Sequence, residues 1–194
     1  MSEDDHVLLV TSKGMAIRFK VSDVRAMGRS ATGVRGVNLA KDDEVVAMAL
    51  VDEEAQLLTI CERGYAKRTA FSEYRVQTRG GKGLRNLSHD GLTRNGPVVD
   101  ARAVRDGDEV ILITEGGKTI RMSVNTDQFR VMGRATAGVR AINLPAEDRL
   151  ISMAWVRPED GDASDGDAPD GVAEGADPEA QPEGGNDGED ASQA

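Results

Sequence analysis

The chain has 194 residues with 34 acidic and 24 basic side chains, which give a formal net charge of −10 at pH 7. Residues 158–194 contain 13 Asp or Glu and no Lys or Arg, so residues 1–157 carry a net charge of +3. No segment approaches the ~20 apolar residues of a membrane-spanning helix, no secretory leader is evident, and the single cysteine excludes a disulfide framework and a multi-cysteine zinc site. We therefore expect a soluble intracellular protein without a metal site.

The first predicted element is a β-hairpin. The apolar run Val7–Val10 ends at a turn that contains Gly14, and Met15–Phe19 follows with apolar residues interrupted by arginine. This pattern is typical of a half-exposed strand, and the glycine allows the positive φ that the turn needs. After a polar loop, a short strand is predicted at Gly33-Val34-Arg35, and the apolar run Glu44–Val51 closes the unit.

Two further units repeat this order along the chain. Their hairpins turn at Gly64 and Gly117, at intervals of 50 and 53 residues from the preceding turn glycine. The later Gly–aliphatic–Arg strands are Gly83-Leu84-Arg85 and Gly138-Val139-Arg140, and the closing runs are Pro97–Val104 and Leu150–Val156. Four short strands in about 50 residues are typical of a propeller blade. The sequence therefore predicts an all-β, propeller-like or β-pinwheel fold of three four-stranded blades.

The repeats define the predicted domain organisation. It comprises an N-terminal extension (1–6), a three-blade domain (7–157) with blades at approximately 7–51, 56–104 and 109–156, and an acidic tail (158–194). The tail has too few apolar side chains to offset the entropy of ordering it, so we expect it to be disordered. Two interpretations of the tail remain open: a solvating appendage, or an intramolecular competitor that occupies a basic surface of the domain.

Basic side chains recur at the same place in each unit. Residues 13–35, 63–85 and 118–140 hold 18 of the 24 Lys and Arg but only three acids. Equivalent positions lie on the same side of a repeated assembly, so these residues predict a basic band across the three blades, as in proteins that bind a nucleic-acid backbone. Because few aromatic residues enter the band, it favours duplex phosphates over stacked bases. A propeller-like protein-interaction module with an acidic partner is the alternative.

The most distinctive motif is Gln77–Gly83, which reads Gln-Thr-Arg-Gly-Gly-Lys-Gly. Its glycines allow backbone N–H groups to approach a phosphate, and Arg79 and Lys82 supply positive charge. The motif resembles the seven-residue box Gln-Arg-Arg-Gly-Gly-Lys-Gly of the DNA gyrase A subunit, from which it departs at Thr78. The segments Met27–Gly33 and Met132–Gly138 resemble the degenerate boxes of other blades in that family, and the resemblance covers roughly residues 6–157.

This resemblance implies the C-terminal DNA-wrapping domain of a gyrase A subunit, which is a β-pinwheel usually built of six blades. It implies sequence-independent binding and bending of duplex DNA, in support of ATP-dependent supercoiling by the holoenzyme in the cytoplasm. The implied partners are duplex DNA and the rest of the enzyme, namely the remainder of the A subunit with the gyrase B subunit. The chain resembles the C-terminal half of such a domain. The alternatives are the related domain of the topoisomerase IV A subunit, whose boxes are usually weaker, and a partial gene product without an independent role.

The predicted DNA contacts lie in the box and at equivalent places in the other units. They comprise Arg79 and Lys82 as phosphate contacts, Gly80, Gly81 and Gly83 as residues that shape the backbone, and Gln77 as a brace for the loop. The equivalent basic residues are Arg29, Arg35, Arg85, Arg134 and Arg140. No catalytic residue and no cofactor are expected, because Tyr65 lies in a predicted strand and Tyr74 in a loop, without the context of a topoisomerase nucleophile.

Overall fold

A computed structural model describes residues 4–156 of the chain, so the predicted acidic tail (158–194) lies outside the described residues. The strands are β1 (His6–Thr11), β2 (Met15–Lys20), β3 (Val45–Leu50), β4 (Gln56–Cys61), β5 (Tyr65–Ala70), β6 (Leu84–Arg85), β7 (Val98–Val104), β8 (Glu109–Thr114), β9 (Thr119–Ser123), β10 (Val139–Arg140) and β11 (Leu150–Val156). One short helix, α1 (His89–Asn95), and the 3-10 turns Val21–Asp23 and Phe71–Glu73 complete the described elements.

The strands form three antiparallel sheets, which confirms the all-β prediction. Blade 1 has the strand order β3-β1-β2-β6, blade 2 has the order β10-β5-β4-β7, and blade 3 has the order β11-β8-β9. Each predicted hairpin is present, and its turn glycine has a positive φ: 72° at Gly14, 79° at Gly64 and 79° at Gly117. A side chain with a Cβ atom is strained in this conformation, which explains the glycine at each turn.

The fourth strand of each complete blade comes from the following unit, and the prediction that it belongs to its own unit is wrong. In blade 1, Leu84 pairs with Ala16, and in blade 2, Val139 of β10 pairs with Ala66 of β5. The approach is so close that a Cβ atom on Gly83 would lie 2.5 Å from the carbonyl oxygen of Ala16. The spacing of the repeats gives the order of the strands but not the sheet that accepts each one. The blades are therefore interlocked.

The exchange of the fourth strand between successive units places the hydrophobic core between neighbouring blades. Tyr74 and Leu87 of unit 2 pack with Leu8 and Leu57 in one cluster, and Phe129 of unit 3 lies in a second cluster with residues of blades 2 and 3. Strand β4 of the middle blade is consequently buried along nearly its whole length. Both faces of the central blade are covered by its neighbours, and the basic loops remain on the outside.

Candidate nucleic-acid interface

Two arginines of the Gly–aliphatic–Arg segments, Arg85 and Arg140, lie beside the hairpin turns of successive blades. Arg85 is paired with Met15 at the start of β2, and Arg140 is paired with Tyr65 at the start of β5. Both arginines are exposed, and so is Arg35, which belongs to no sheet within the described residues. Strand exchange therefore places Arg85 and Arg140 at equivalent positions, each on the blade before its own unit.

In blade 2, two arginines stack on one aromatic ring, and a third arginine is bonded to the backbone of one of them. The guanidinium carbons of Arg94 and Arg140 lie 4.6 and 4.8 Å from the centre of the Tyr65 ring, and Arg140 also donates a hydrogen bond to Tyr65 Oη at 2.7 Å. Arg63 donates to the carbonyl oxygen of Arg94 at 3.1 Å. Stacking on a ring orients a guanidinium without neutralising its charge. The arrangement is suited to holding a phosphate.

Arg94 is a site residue that the sequence analysis missed. It lies in α1, a helix that units 1 and 3 lack, and Ser88 caps this helix by accepting a hydrogen bond from the backbone N–H of Gly91 at 3.0 Å. The helix contains too few apolar residues for a helical periodicity to be visible. The serine cap before the helix and Gly96 after it were the available signals.

The box of unit 2 holds the loop of unit 1. Arg79 Nε donates to the carbonyl oxygen of Asp23 at 3.1 Å, and Arg79 Nη1 donates to that of Arg35. The N–H of Gly80 donates to the carbonyl oxygen of Gly36 at 2.8 Å, and so is not free for a phosphate. The Gln77 N–H donates to the carbonyl oxygen of Arg18 at 2.8 Å. Residues of the box in unit 2 are therefore bonded to the backbone of unit 1.

Arg134 repeats the role of Arg79 one unit later. Its Nη1 donates to the carbonyl oxygen of Arg85, as Arg79 does to that of Arg35. Both side chains are half-buried, whereas Arg29, the equivalent residue of unit 1, is exposed. Arg79 was predicted to contact phosphate, with Arg29 and Arg134 as equivalent residues of the basic band, but the inter-unit bonds of Arg79 and Arg134 were not predicted.

Lys82 is the exposed cation of the box, and the neighbouring glycines shape the loop beneath it. Gly80 and Gly83 have φ values of 82° and 79°, whereas Gly81 has an ordinary backbone conformation and lies close to Thr78. The box therefore requires glycine at two positions for backbone conformation.

Some basic residues of the predicted band are structural. Arg18 and Arg68 are 7% and 0% exposed, and Arg68 Nε donates to the carbonyl oxygen of Phe129 at 2.8 Å. Lys67 is 1% exposed, and its Nζ donates to the carbonyl oxygens of Asn86, Gly133 and Arg134, at 2.6 Å and 3.2 Å to the first two. Burial lowers the pKa of Lys67 to about 8. These three side chains belong to the core and are not available to DNA.

The described carboxylates form ion pairs with basic residues outside the predicted site. The pairs include Arg18–Glu53, Arg68–Asp106, Arg105–Asp52, Arg121–Glu109 and Arg149–Glu115. Within residues 4–156, no ion pair involves any basic residue of the predicted site, namely Arg29, Arg35, Arg79, Lys82, Arg85, Arg134 or Arg140. The positive charge of the site is therefore not neutralised by neighbouring acids.

The two tyrosines of unit 2 lie in different surroundings. Tyr65 lies between two guanidinium groups, and Tyr74 is buried with its hydroxyl donating to Asn86 Oδ1 at 2.6 Å. Burial raises the pKa of Tyr74. Among the described residues, no group of His, Cys, Asp and Glu side chains is placed to hold a metal ion, and no helix has the length and apolarity to span a membrane.

Comparison with known proteins identifies the relatives of these blades. The sequence model of the family described as "DNA gyrase C-terminal domain, beta-propeller" matches residues 5–52, 55–105 and 108–154. The DNA gyrase A subunit of Kosmotoga olearia is 43% identical over 157 residues, which are 80% of this chain and 19% of the relative. That of Mycobacterium tuberculosis is 42% identical over 163 residues, which are 83% of this chain and 19% of the relative. The chain thus spans about a fifth of the length of these curated relatives.

Solved structures show the same fold. A DNA gyrase A C-terminal domain superposes with a TM-score of 0.71 and 31% identity, over 80% of this chain and 52% of that one. The C-terminal domain of a DNA topoisomerase IV superposes with a TM-score of 0.74 and 26% identity, over 81% of this chain and 48% of that one. These similarities confirm the fold and the resemblance inferred from the box.

Proposed function

Since this chain belongs to the family of DNA gyrase C-terminal β-propeller domains, we propose that it binds duplex DNA through its phosphates and bends it across the basic band. The binding is independent of base sequence, because the site offers flexible cations and, within residues 4–156, no recognition helix or strand ribbon for a DNA groove. In this role the chain acts as the C-terminal part of a gyrase A subunit.

The observation that carries the proposal is the separation of free and neutralised cations. Arg35, Lys82, Arg85 and Arg140 are exposed and form no ion pair within the described residues, whereas four exposed arginines elsewhere pair with carboxylates, namely Arg102, Arg105, Arg121 and Arg149. Each phosphate that binds a free cation releases a condensed counterion, which favours binding. An arginine already paired with an acid contributes little, because the acid repels the phosphate.

Bending requires several such contacts on successive blades. Smooth bending of a short duplex costs on the order of 1–6 kcal/mol, which phosphate contacts along a curved path must offset. Arg85 and Arg140 repeat the same position on blades 1 and 2, and Arg63 and Arg94 add charge beside Arg140. A duplex that follows this row must curve with the blades.

Within a gyrase, this bending supports ATP-dependent supercoiling by the holoenzyme. The partners in that reaction are the nucleoid DNA of the cytoplasm and the rest of the enzyme, namely the remainder of the A subunit with the gyrase B subunit. The chain supplies DNA binding and curvature, while strand cleavage and ATP hydrolysis belong to the other parts of the enzyme.

Affinity and bending can be measured together on the full chain. The substrate is a duplex with a fluorescent donor and acceptor at its two ends, prepared in two unrelated sequences. We expect equal affinity for both sequences and increased energy transfer on binding. The variant Arg85→Ala/Arg140→Ala should bind more weakly, whereas Arg102→Ala/Arg105→Ala, with the same loss of charge but from ion-paired residues, should bind like the wild type.

Two results would count against the proposal. Binding without increased energy transfer would exclude bending. The absence of binding at low salt would favour a module that recognises an acidic protein through the same basic band.

A further inference from the structure

We propose that Tyr65 is a positioning residue, whose ring and hydroxyl hold Arg94 and Arg140 as a pair that binds the DNA backbone. The pair gives blade 2 a stronger phosphate contact than Arg85 gives blade 1. Because DNA phosphates are the ligand, this role rests on the function proposed above. The tyrosine and both arginines belong to units 2 and 3, inside the described domain.

Tyr65 lies where arginines from two units reach one blade. It is the first residue of β5 and pairs with Arg140, which unit 3 contributes through β10, whereas Arg94 comes from α1 of unit 2. The guanidinium carbons of both arginines lie within 4.8 Å of the centre of the tyrosine ring. The ring is half-buried and both arginines are exposed, so two accessible cations share one support.

Hydrogen bonds hold the pair but leave donors free. Arg94 Nε donates to Asn95 Oδ1 at 2.8 Å, and Arg94 Nη2 donates to the carbonyl oxygen of Gly138 at 3.1 Å. Arg140 Nη2 donates to Tyr65 Oη at 2.7 Å. The Nη1 groups of both arginines form no hydrogen bond within the described residues. Since a guanidinium has five N–H donors, several remain for phosphate oxygens.

The ring that supports the pair is neutral, which preserves the positive charge. Elsewhere in the described blades, a carboxylate orients an exposed arginine: Arg121 donates through Nε and Nη2 to Glu109 Oε2. Such an ion pair leaves little net charge for a phosphate. Arg94 and Arg140 form no ion pair within residues 4–156, and a ring attracts a cation without neutralising it.

A cavity of about 330 Å³ beside the pair has room for a phosphate group. Arg63 also lines this cavity and adds a third cation without an ion pair within the described residues. Asp148 is the one acid among the described lining residues, and its Oδ1 accepts hydrogen bonds from the N–H groups of Gly116 and Arg149 at 3.0 and 2.9 Å. Three arginines therefore face one carboxylate that is engaged by the backbone.

Blade 1 has the equivalent arginine without the ring. Arg85 pairs with Met15 as Arg140 pairs with Tyr65, and each partner directly follows its turn glycine. The Arg85 side chain forms no hydrogen bond, ion pair or ring contact within the described residues. Arg85 must therefore become ordered when a phosphate binds, whereas Arg140 is ordered beforehand.

Ordering the arginines in advance raises affinity without changing charge. Immobilising one long side chain on binding lowers affinity by about two- to tenfold, and an arginine that is already ordered avoids most of this loss. Since two arginines share the ring, removal of the ring should weaken binding on the order of tenfold. The number of phosphate contacts stays the same, so the salt dependence should not change.

Duplex titrations of the full chain at several salt concentrations test this role. Tyr65→Met introduces the residue that blade 1 has at this position, so the strand should still form. It should weaken binding on the order of tenfold and keep the wild-type slope of log K against log salt. Tyr65→Phe keeps the ring and should lose less affinity, and Met15→Ala is the matched control on blade 1, which should bind like the wild type.

Two arginine variants test whether Tyr65 acts through the pair. In a chain that already carries Arg94→Ala/Arg140→Ala, Tyr65→Met should have little further effect on affinity. Arg140→Ala alone should weaken binding more than Arg85→Ala, because only Arg140 is held by a ring.

The positioning can also be measured without DNA. NMR relaxation of the guanidinium Nε–H groups should show Arg140 to be more ordered than Arg85 in the wild type. In Tyr65→Met, Arg140 should become as mobile as Arg85, since the bond to Tyr65 Oη is its side-chain hydrogen bond within the described residues.

Several results would overturn the role of Tyr65. Wild-type affinity in Tyr65→Met would show that the ring does not set the strength of the contact, and so would an unchanged mobility of Arg140. An equal loss of affinity in the Arg94→Ala/Arg140→Ala chain would show that Tyr65 does not act through the pair. Absence of duplex binding by the wild type would instead overturn the proposed function, and the NMR comparison would still decide whether Tyr65 orders Arg140.

Discussion

The Arg79 guanidinium donates a hydrogen bond to the backbone carbonyl of Arg35, a residue of the preceding unit. Arg134 makes the equivalent bond to the carbonyl of Arg85. These bonds link the box of one unit to the Gly–aliphatic–Arg segment of the unit before it. The arginine of the box thus has a structural role beside any contact with DNA, and this role determines how its variants should behave.

Arg79→Ala should lower the free energy of unfolding by about 1–3 kcal/mol, because the carbonyl oxygens of Asp23 and Arg35 lose a charged donor. Chemical denaturation monitored by circular dichroism measures this loss. Arg29→Ala is the control, since Arg29 is exposed and holds no such carbonyl within the described residues. An Arg79→Ala variant as stable as the control would show that the bonds contribute nothing to stability.

Lys82→Ala should weaken duplex binding and leave stability nearly unchanged. The Lys82 side chain is exposed and unpaired within the described residues, so its removal should lower the slope of log K against log salt by about 0.9. Lys41→Ala is the matched control, because Lys41 is also exposed but lies among acids. Equal slopes for the two variants would remove Lys82 from the phosphate contacts.

The buried amine of Lys67 predicts a pH-dependent stability. Its pKa of about 8 in the folded chain lies below the ordinary value of 10.5, so between pH 8 and 10.5 the unfolded chain binds a proton that the folded chain does not. The contribution of Lys67 to the free energy of unfolding therefore rises with pH across that window, by on the order of 3 kcal/mol, and is constant below pH 8.

Lys67→Ile tests this dependence, because isoleucine occupies the equivalent position in the other units, Ile17 and Ile120. Denaturation at several pH values gives the free energy of unfolding of both chains. From pH 8 upward, the free energy of unfolding of the wild type should increase relative to that of the variant. Parallel curves would show that the Lys67 amine does not change protonation on folding in that range.

The acidic tail predicts a change in DNA affinity on truncation. Residues 158–194 carry 13 acidic side chains on the same chain as a basic band, so they can compete with phosphates at high effective concentration. A chain that ends at Arg157 should bind duplex DNA more tightly, with the largest gain at low salt, where charges are least screened. Anisotropy titrations of both chains provide the comparison, and equal affinities would favour a purely solvating tail.

The local elements of the fold could be predicted because neighbouring residues determine them. The alternation after Gly14 and the positive φ of that glycine defined a hairpin that the structure confirms. The blade that Leu84-Arg85 joins could not be predicted, because the sequence of a two-residue strand does not indicate which strand it pairs with. Repetition along a sequence shows that units are alike, but it does not show how they interlock.

The residues of the candidate site were likewise predicted only in part. The box and the exposed Arg85 and Arg140 were predicted from the repeats, but the buried Arg68 lies in the same predicted basic band and belongs to the core. Whether an arginine faces solvent or a carbonyl of the next unit depends on contacts between units. Arg94 was missed because its helix occurs in one unit only.

The salt dependence of duplex binding shows whether the unpaired cations of the blades bind the DNA backbone. We expect a straight line of log K against log salt for the full chain, and a slope smaller by about 1.8 for Arg85→Ala/Arg140→Ala, since each phosphate contact contributes about 0.9. The slope of the ion-paired control Arg102→Ala/Arg105→Ala should match the wild type. A slope unchanged by the loss of Arg85 and Arg140 would contradict the claim that the unpaired cations of the blades bind the DNA backbone.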